Sequence, residues 1–257
     1  MTSSSPEPSN GTTVDTGVAG SNLPATFNGT VAERVASHLV SYIRHHNLSS
    51  GEPLPSELRL SRELAVSRGM VREAIRSLSS AGVLEISNGR APRVGRLSGR
   101  AISLLLQHGL STEQLSQAHV FDARSTLEIR AAALAARHRT KDDLGALSAA
   151  VADMRAAGRQ HTPFIEADFR FHDIIGHATG NPLFDLLGAA IRESFDQAIR
   201  AGFHSHRTPE ELTALVDLHE AIVEAIAKRR PAAASRLMRQ HFEKTWRYVF
   251  GDKRLPA

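Results

Sequence analysis

Residues 67–94 have the sequence SRGMVREAIRSLSSAGVLEISNGRAPRV. Ser67 stands just before an apolar run with helical spacing, and its hydroxyl can cap the first turn of a helix. Gly82 follows that run at the position where helices commonly end with a residue of positive φ. These signals predict a helix over residues 67–80.

A β-hairpin is predicted directly after this helix. Residues 83–86 (Val-Leu-Glu-Ile) are strand-like, and residues 91–94 (Ala-Pro-Arg-Val) suit a short return strand. Asn88-Gly89 lies between them and is a strong signal for a tight hairpin turn, which needs positive φ at both positions.

Two further helices are predicted upstream. Apolar residues recur at every fourth position through residues 30–46, which indicates an amphipathic helix. Ser56 can cap a second helix that reaches about Leu64, and Ala65-Val66 then form a tight turn. The order helix, helix, tight turn, helix and hairpin is that of a winged helix-turn-helix.

One face of the helix predicted over residues 67–80 is basic. Arg68, Arg72 and Arg76 are spaced four residues apart, so they form one stripe away from the apolar one. Such a stripe suits a helix in the major groove of DNA, because the Arg guanidinium can make two parallel hydrogen bonds to a phosphate or to the edge of a guanine. Gly69 would let the backbone approach a partner closely. An arginine stripe alone also fits a solvated face, and it is the surrounding winged helix-turn-helix pattern that favours DNA.

The basic excess of the chain is concentrated in this module. Over all 257 residues, 31 Lys and Arg against 27 Asp and Glu give a net charge of +4. Residues 30–97 hold ten Arg and six Glu, so this segment carries a net charge of +4 by itself. Residues 1–28 are rich in Ser, Thr, Gly, Pro and Asn and predict a disordered tail. A small basic module beside a larger, nearly neutral one is typical of nucleic-acid-binding proteins.

Composition excludes several classes of protein. The chain has no Cys, which excludes disulfides, thiolate zinc sites, iron–sulfur clusters and Cys nucleophiles. No stretch approaches the ~20 consecutive apolar residues that a membrane-spanning helix needs. The first 29 residues contain no Lys, no Arg and no apolar run, which argues against a secretory signal. We therefore expect a cytoplasmic protein without a membrane partner.

Residues 54–94 resemble the DNA-binding domain of the GntR family of bacterial transcription regulators. The resemblance covers the whole module in order, from LPSEL at residues 54–58 through VSRGMVREAI at residues 66–75 to the Asn-Gly wing. It implies operator contacts at the start of the third helix and minor-groove contacts in the wing: Ser67, Arg68, Gly69, Met70 and Arg72 in the helix, and Asn88, Gly89 and Arg90 in the wing. The family usually has Arg directly after Pro-x-Glu, where this chain has Leu58 followed by Arg59. The phosphate or base contact expected at that position is therefore missing or comes from Arg59 at a different angle.

Beyond a linker at residues 95–99, only helical periodicity is found. The predicted helices lie near residues 100–109, 112–138, 141–158, 162–178, 182–203, 208–228 and 232–250. Short connections favour antiparallel packing of consecutive helices into a bundle. The predicted fold class is mostly α, with a disordered tail over residues 1–28, a winged helix-turn-helix domain over 29–97 and a second, all-helical domain over 98–251.

Two potential metal ligands project from the apolar face of one predicted helix. Asp168 and His172 are four residues apart, and their stripe also holds Phe and Ile residues. A second pair one step along, Asp173 and His177, shares its stripe with charged residues and should face water. This contrast favours the first pair as the buried one.

Two further histidines lie in apolar stripes of later helices. His219 lies among Leu, Val and Ile residues, and His241 lies in a stripe with Leu237 and Met238. An unpaired buried polar group costs about 1–3 kcal/mol, so each of these side chains needs a partner. Any one of them alone is most simply a hydrogen-bonded core histidine. The three imidazoles and the carboxylate together favour a divalent metal in the bundle core, with a hydrogen-bonded polar core as the alternative.

The second half of the chain resembles the FadR-type C-terminal ligand-binding domain (FCD) of one GntR subfamily. The resemblance rests on DFRFH at residues 168–172, on Gly-Asn-Pro at residues 180–182, and on the two downstream histidines. It implies that one Asp and three His hold a divalent ion beneath an effector pocket: Asp168, His172, His219 and His241. Zinc is the first choice for this ion, with nickel, manganese or iron as alternatives. Asn181 is interpreted as the cap of the helix that follows the Gly180 break.

A small carboxylate is the predicted effector. Three His and one Asp leave one or two positions of an octahedral shell for outside ligands, which a carboxylate can take. Arg124 occupies the place of an Arg that recurs in this type of domain, and Arg can hold a carboxylate by two bonds. The alternative role for Arg124 is an ion pair with Glu128, four residues along the same predicted helix.

The sequence therefore predicts a ligand-responsive transcription regulator, a homodimeric repressor that the effector releases from a palindromic operator in double-stranded DNA. Two alternatives use the same Asp/His₃ group: a metal-dependent enzyme and a metal sensor. The enzyme is disfavoured because the chain carries a complete DNA-binding module and has no evident general acid or base pair beside the ligands.

Overall fold

The structure, a computed structural model, describes residues 29–203 and 208–251, with the backbone alone described over 195–203. The tail predicted over residues 1–28 lies outside this part of the chain. The chain divides after Arg96 into two compact units, each with its own hydrophobic core. None of the helices in the described ranges is both long enough and apolar enough to cross a membrane.

In its described part, from residue 29 onwards, the first unit contains three helices and a small antiparallel sheet: α1 (Val31–His45), α2 (Glu57–Glu63), α3 (Arg68–Ser80), β1 (Leu84–Glu85) and β2 (Arg93–Val94). Serine side chains cap two of the helices, because Ser56 Oγ accepts from Arg59 N and Ser67 Oγ accepts from Met70 N, both at 3.3 Å. The turn between α2 and α3 uses Ala65 at a φ of +53°. The predicted winged helix-turn-helix order is confirmed.

The hairpin turn differs from the prediction. Gly89 has a φ of +72°, but Asn88 is not among the residues of positive φ, so the expectation of positive φ at both positions is wrong. The two strands are separated by residues 86–92, a loop too long to need the two-residue turn. Within it, Arg90 N donates to Ser87 O at 3.2 Å and closes a turn around Asn88 and Gly89.

A segment before α2 pairs with the return strand, which the sequence did not reveal. Gly51 N donates to Val94 O, and Leu54 N donates to Pro92 O, both at 2.8 Å. These bonds join the wing to the segment that leads into α2, so the two parts of the module form one unit.

The second unit is entirely helical in its described part: α4 (Arg100–Ser111), α5 (Gln117–His138), α6 (Lys141–Ala157), α7 (His161–His177), α8 (Pro182–Phe203), α9 (Pro209–Ala227) and α10 (Pro231–Phe250). Helix α5 packs against α7, α8, α9 and α10, so it lies at the centre of the bundle. Asn181 Oδ1 accepts from Leu183 N at 3.1 Å, which confirms its predicted role as the cap of α8. The mostly helical fold class is confirmed.

The predicted end of α4 at Gly109 is wrong, since the helix continues to Ser111. Leu115 folds back onto Gly109, and a Cβ at that glycine would lie 2.8 Å from Leu115 Cδ1. The glycine therefore serves close packing and not a helix end.

The predicted start of α5 at residue 112 is also wrong, since the helix begins at Gln117. Glu113 has a φ of +58°, which interrupts helical geometry. Ser116 then caps α5 by accepting from His119 N at 3.2 Å.

The linker is shorter than the predicted residues 95–99. Gly95 N donates to Val83 O at 2.8 Å, so Gly95 still belongs to the wing. Gly99 packs onto α8, where a Cβ would lie 2.8 Å from Ala190 Cβ. Residues 96–98 between these two glycines are exposed, and Arg96 N donates to the Glu85 carboxylate at 3.2 Å.

Candidate functional site

The outer face of α3 carries the helix residues predicted to contact DNA. Arg68, Arg72 and Arg76 are exposed, while the apolar stripe of the same helix is buried in the unit's core. A Cβ at Gly69 would meet nothing closer than Ser67 Oγ at 3.8 Å, so packing within the chain does not require a glycine there. The absence of a side chain leaves the backbone open to a close partner. Met70 is half-buried.

Arg72 is held by an acidic side chain of the neighbouring helix. Its Nε lies 3.1 Å and its Nη2 lies 2.9 Å from Glu57 Oε2. Arg59, which follows the position where the family usually has Arg, instead bonds Glu63 of its own helix at 2.6 Å. Leu58, which occupies that position, is exposed.

The wing residues Asn88, Gly89 and Arg90 are all exposed. They lie in the loop between β1 and β2, and the first unit thus presents both predicted contact groups, on α3 and on the wing.

The structure brings the four predicted metal ligands together in the second unit. They come from three places in the bundle: Asp168 and His172 from α7, His219 from α9, and His241 from α10. One potential ligand atom from each lies within 4.8 Å of all the others. The three histidines are buried and the aspartate is half-buried, so the group can hold a metal ion inside the bundle.

The contacts of His219 fix which of its nitrogens faces the aspartate. His219 Nδ1 lies 2.8 Å from Leu215 O, and only a protonated nitrogen can bond a carbonyl. In the neutral ring Nε2 then carries a lone pair, and it faces Asp168 Oδ1 at 3.2 Å without making a hydrogen bond. Two acceptors in this position repel unless a cation lies between them. His241 Nδ1 is likewise buried without a hydrogen-bond partner among the described residues. These unsatisfied atoms fit a metal-binding role.

A residue that sequence reasoning did not place at this site supports one of the ligands. Glu128 of α5 accepts from His172 Nδ1 through Oε2, which leaves His172 Nε2 directed towards Asp168 at 3.9 Å. The other carboxylate oxygen, Oε1, accepts from Arg124 Nε at 2.6 Å. A carboxylate behind a histidine ligand fixes its tautomer and increases its basicity. The only sequence signal for Glu128 is its position four residues after Arg124.

The protonation states of the group suit metal binding. Burial lowers the pKa of His241 well below its ordinary value, and the neighbouring His219 and His172 lower it further, so this imidazole stays neutral. Burial alone would raise the pKa of Asp168, but the surrounding imidazoles, His219 first, hold it well below its usual range whenever they carry a proton. Burial opposes ionisation of Glu128 too, yet Arg124 and His172 lower its pKa to about 2. Both carboxylates are therefore ionised at neutral pH.

The second pair of the same helix lies differently. The side chain of His177 is 75% exposed and lies 3.4 Å from Asp185. Asp173 pairs with Arg192 of α8 at 3.1 Å. The prediction that this pair faces water is confirmed, since both residues are exposed, and Asp173 also lines a cavity.

Two cavities lie beside Arg124 and His172. A chamber of about 30 Å³ is lined by Asp168, His172 and His241 together with aromatic and aliphatic side chains. A larger cavity of about 210 Å³ lies between α5, α7 and α8. Arg124 and His172 line both of them. The chamber has room for about two water molecules and the cavity for a small organic molecule.

Polar groups inside these spaces lack partners in the described part of the chain. Arg124 is buried and bonds Glu128 only through Nε, so its two terminal amino groups are unpaired. Thr245 Oγ1 in the chamber is buried and unpaired as well. Arg124 makes the ion pair with Glu128 that was its alternative role, and it also lines both cavities. Thr245, four residues after His241, was missed by sequence reasoning.

Comparison with known proteins identifies both units. Residues 31–94 match the model of bacterial regulatory proteins of the gntR family, and residues 119–244 match the FCD domain. The HTH-type transcriptional repressor NanR of Cronobacter sakazakii is 32% identical over 231 residues, which cover 87% of this chain and 88% of that protein. The chain belongs to the GntR family. A NanR repressor of Salmonella arizonae is 30% identical and covers 87% of this chain and 86% of its own length.

A solved structure agrees with this family assignment. The GntR protein of Streptococcus agalactiae superposes with a TM-score of 0.64 at 27% identity, covering 84% of this GntR chain and 99% of its own. The two family matches and the named repressors show that this chain is a DNA-binding transcription regulator with an effector-binding domain. Its family and its relatives are regulators and not enzymes.

Proposed function

We propose that this regulator is a cytoplasmic, homodimeric repressor that a small carboxylate releases from a palindromic operator. DNA binding is assigned to residues 29–97 and effector binding to residues 98–251. The operator contacts are Ser67, Arg68, Gly69, Met70, Arg72, Arg76, Asn88, Gly89 and Arg90. The metal ligands are Asp168, His172, His219 and His241.

A divalent metal is supported by the donor set and by its unsatisfied atoms. Three imidazoles and one carboxylate suit zinc, with nickel, manganese or iron as alternatives. When bound, the ion would supply a positive charge and open coordination positions for an effector oxygen. The chain's own part is to hold the ligands in place, and Glu128 does this for His172.

The observation that carries the effector proposal is the free end of Arg124. This guanidinium is buried, bonds Glu128 through Nε, and lines both cavities beside the metal ligands, and its two terminal amino groups make no hydrogen bond among the described residues. A carboxylate can accept two parallel bonds from such a fork, and charge-assisted bonds of this kind are strong. Thr245 Oγ1 offers a further donor within the chamber. An anion placed here would contact α5, α7 and α10 at once.

The proposal predicts that Arg124→Lys impairs the response to effector while operator affinity stays unchanged. Lysine keeps a positive charge beside Glu128 but lacks the planar fork that holds a carboxylate by two bonds. We expect the effector concentration needed for half-maximal DNA release to rise about tenfold or more. The measurement is fluorescence anisotropy of labelled operator DNA, selected from a random library with the full-length protein, during titration with a panel of small carboxylic acids.

Three comparisons decide the outcome of that titration. The amides of the same acids should not release DNA, because they lack the two negatively charged oxygens that accept parallel hydrogen bonds from Arg124. Protein stripped of metal with a chelator should respond less than protein reloaded with zinc. Release by metal alone, with no further effect of any acid, would instead support a metal sensor and contradict the effector proposal.

A two-fold symmetric dimer predicts a short pseudo-palindromic operator. Two copies of α3 related by a two-fold axis read inverted repeats of one half-site. Exposed leucines on α4, Leu104 and Leu105, offer an apolar surface of the kind that subunit interfaces cover. Footprinting should protect two inverted half-sites, and light scattering of the DNA-free protein should give twice the chain mass. Protection of one asymmetric half-site by a monomer would contradict the homodimer.

A further inference from the structure

The three arginines of the α3 stripe are not equivalent. Arg72 forms a two-bond ion pair with Glu57, across the turn that separates α2 from α3. Arg68 and Arg76 have no ion-pair partner among the described residues. Glu57 lies in the first turn of α2, so its carboxylate is anchored on a capped helix and not on a loop. The helix-turn-helix geometry therefore holds Arg72, alone among the three arginines of the stripe, by an ion pair among the described residues.

We propose that Glu57 is a positioning residue that holds the Arg72 guanidinium for direct readout of a guanine in the operator. The inference rests on the proposed role of Arg72 as an operator contact. It adds a difference within the stripe, because Arg72 is held by an acidic side chain of another helix while Arg68 and Arg76 have no ion pair among the described residues.

The hydrogen-bond inventory of the guanidinium supports this role. Glu57 takes the Nε–H and one Nη2–H, which form one edge of the planar group. The remaining edge presents one N–H from each of Nη1 and Nη2 in parallel. A guanine offers O6 and N7 as a matching pair of acceptors in the major groove. Arg72 can thus keep both bonds to Glu57 and still make a bidentate base contact.

Restraint of the side chain favours specificity over mere affinity. A long arginine side chain loses rotamer freedom when it is fixed, and Glu57 imposes part of that loss before DNA arrives. The Arg72 side chain is nevertheless 55% exposed, so its free edge is accessible. The Glu57 carboxylate would also repel DNA phosphates, which lowers affinity for every sequence. If Glu57 served only to mask Arg72, its removal would improve binding without any loss of base discrimination.

The test compares Glu57→Ala with Glu73→Ala in the full-length protein. Glu73 is an exposed acid on α3 next to Arg72, so both variants remove one negative charge from the same module. Operator DNA is selected from a random library with the wild-type protein. The guanine read by Arg72 is the position at which Arg72→Ala loses discrimination when single base pairs are replaced. Dissociation constants are measured by anisotropy for the selected site and for the site changed at that guanine.

We expect Glu57→Ala to reduce discrimination at that guanine about tenfold, while Glu73→Ala keeps it at the wild-type level. In an Arg72→Ala background, Glu57→Ala should cause no further loss, because a role exerted through Arg72 disappears with it. Unchanged discrimination in Glu57→Ala, or equal loss in both acid variants, would overturn the inference. Wild-type discrimination at every position in Arg72→Ala would instead overturn the proposed role of Arg72 itself.

Discussion

Replacing Arg72 with alanine should greatly weaken specific operator binding and leave the protein folded. Arg72 lies on the exposed face of α3, away from the buried Val71 and Ile75, so the core of the first unit stays intact. Loss of a bidentate base contact costs about 1–3 kcal/mol in each half-site, and a dimer loses it twice. The measurement is the dissociation constant for the selected operator at physiological salt, beside that for unrelated DNA.

Arg59→Ala is the matched control for this change. Arg59 is also an exposed arginine in an ion pair with a glutamate, but it lies on α2 and pairs within its own helix. It should weaken binding modestly and to all sequences alike, which is the behaviour of a phosphate contact. Circular dichroism and thermal melting should show both variants folded. An operator affinity of Arg72→Ala equal to wild type would contradict the assignment of α3 as the recognition helix.

The DNA-binding module was predictable because its signals are local. Ser56 and Ser67 cap the helices that follow them, and each cap depends on residues within one helical turn. The apolar stripe of α3 is buried as its spacing requires. Where a contact between distant segments decides the structure, sequence reasoning failed. The pairing of Gly51 with Val94 is one such contact, and nothing in the local pattern indicates it.

The ends of α4 and α5 show the same difference between local signals and contacts made in the folded protein. Gly109 looks like a helix end, yet it serves the close approach of Leu115, which a sequence pattern cannot distinguish. The start of α5 depends on Glu113 adopting positive φ, a conformation that is uncommon for glutamate and is not predictable from composition.

The sequence indicates the candidate metal site because polar side chains that can bind a metal stand at helix positions that the apolar periodicity predicts to be buried. A histidine among leucines and isoleucines is visible in the sequence, and so is a carboxylate four residues from another histidine. The bond from His172 to Glu128 joins residues 44 positions apart, and it depends on how α5 and α7 are rotated against each other. Periodicity defines which face of a helix is buried, but not which side chains meet across the interface. Glu128 was therefore considered only as a partner of Arg124.

The double change His219→Ala with His241→Ala should remove a bound divalent ion and lower thermal stability. The two residues lie on α9 and α10, and with Asp168 and His172 they form a group that joins three helices of the bundle. Purified wild-type protein should carry about one divalent ion per chain. A ligand at 100 times its dissociation constant stabilises by about 2.7 kcal/mol, which corresponds to a shift of about 5–10 °C in a domain of this size. Effector response should suffer more than operator affinity, because the DNA-binding module is a separate unit.

The decisive reading is the metal dependence of the melting temperature, since loss of two buried side chains destabilises a core even without metal. Wild-type protein should melt lower after treatment with a chelator and recover with zinc, whereas the double variant should respond to neither. His138→Ala with His177→Ala removes two exposed histidines from the same unit and should keep the wild-type response. Elemental analysis that finds no metal in protein purified without chelators, together with no thermal shift on adding zinc, nickel or manganese, would contradict the metal site. The four residues would then form a polar core that binds water or an effector directly, and the unpaired Nε2 of His219 facing Asp168 would require a proton in place of the ion.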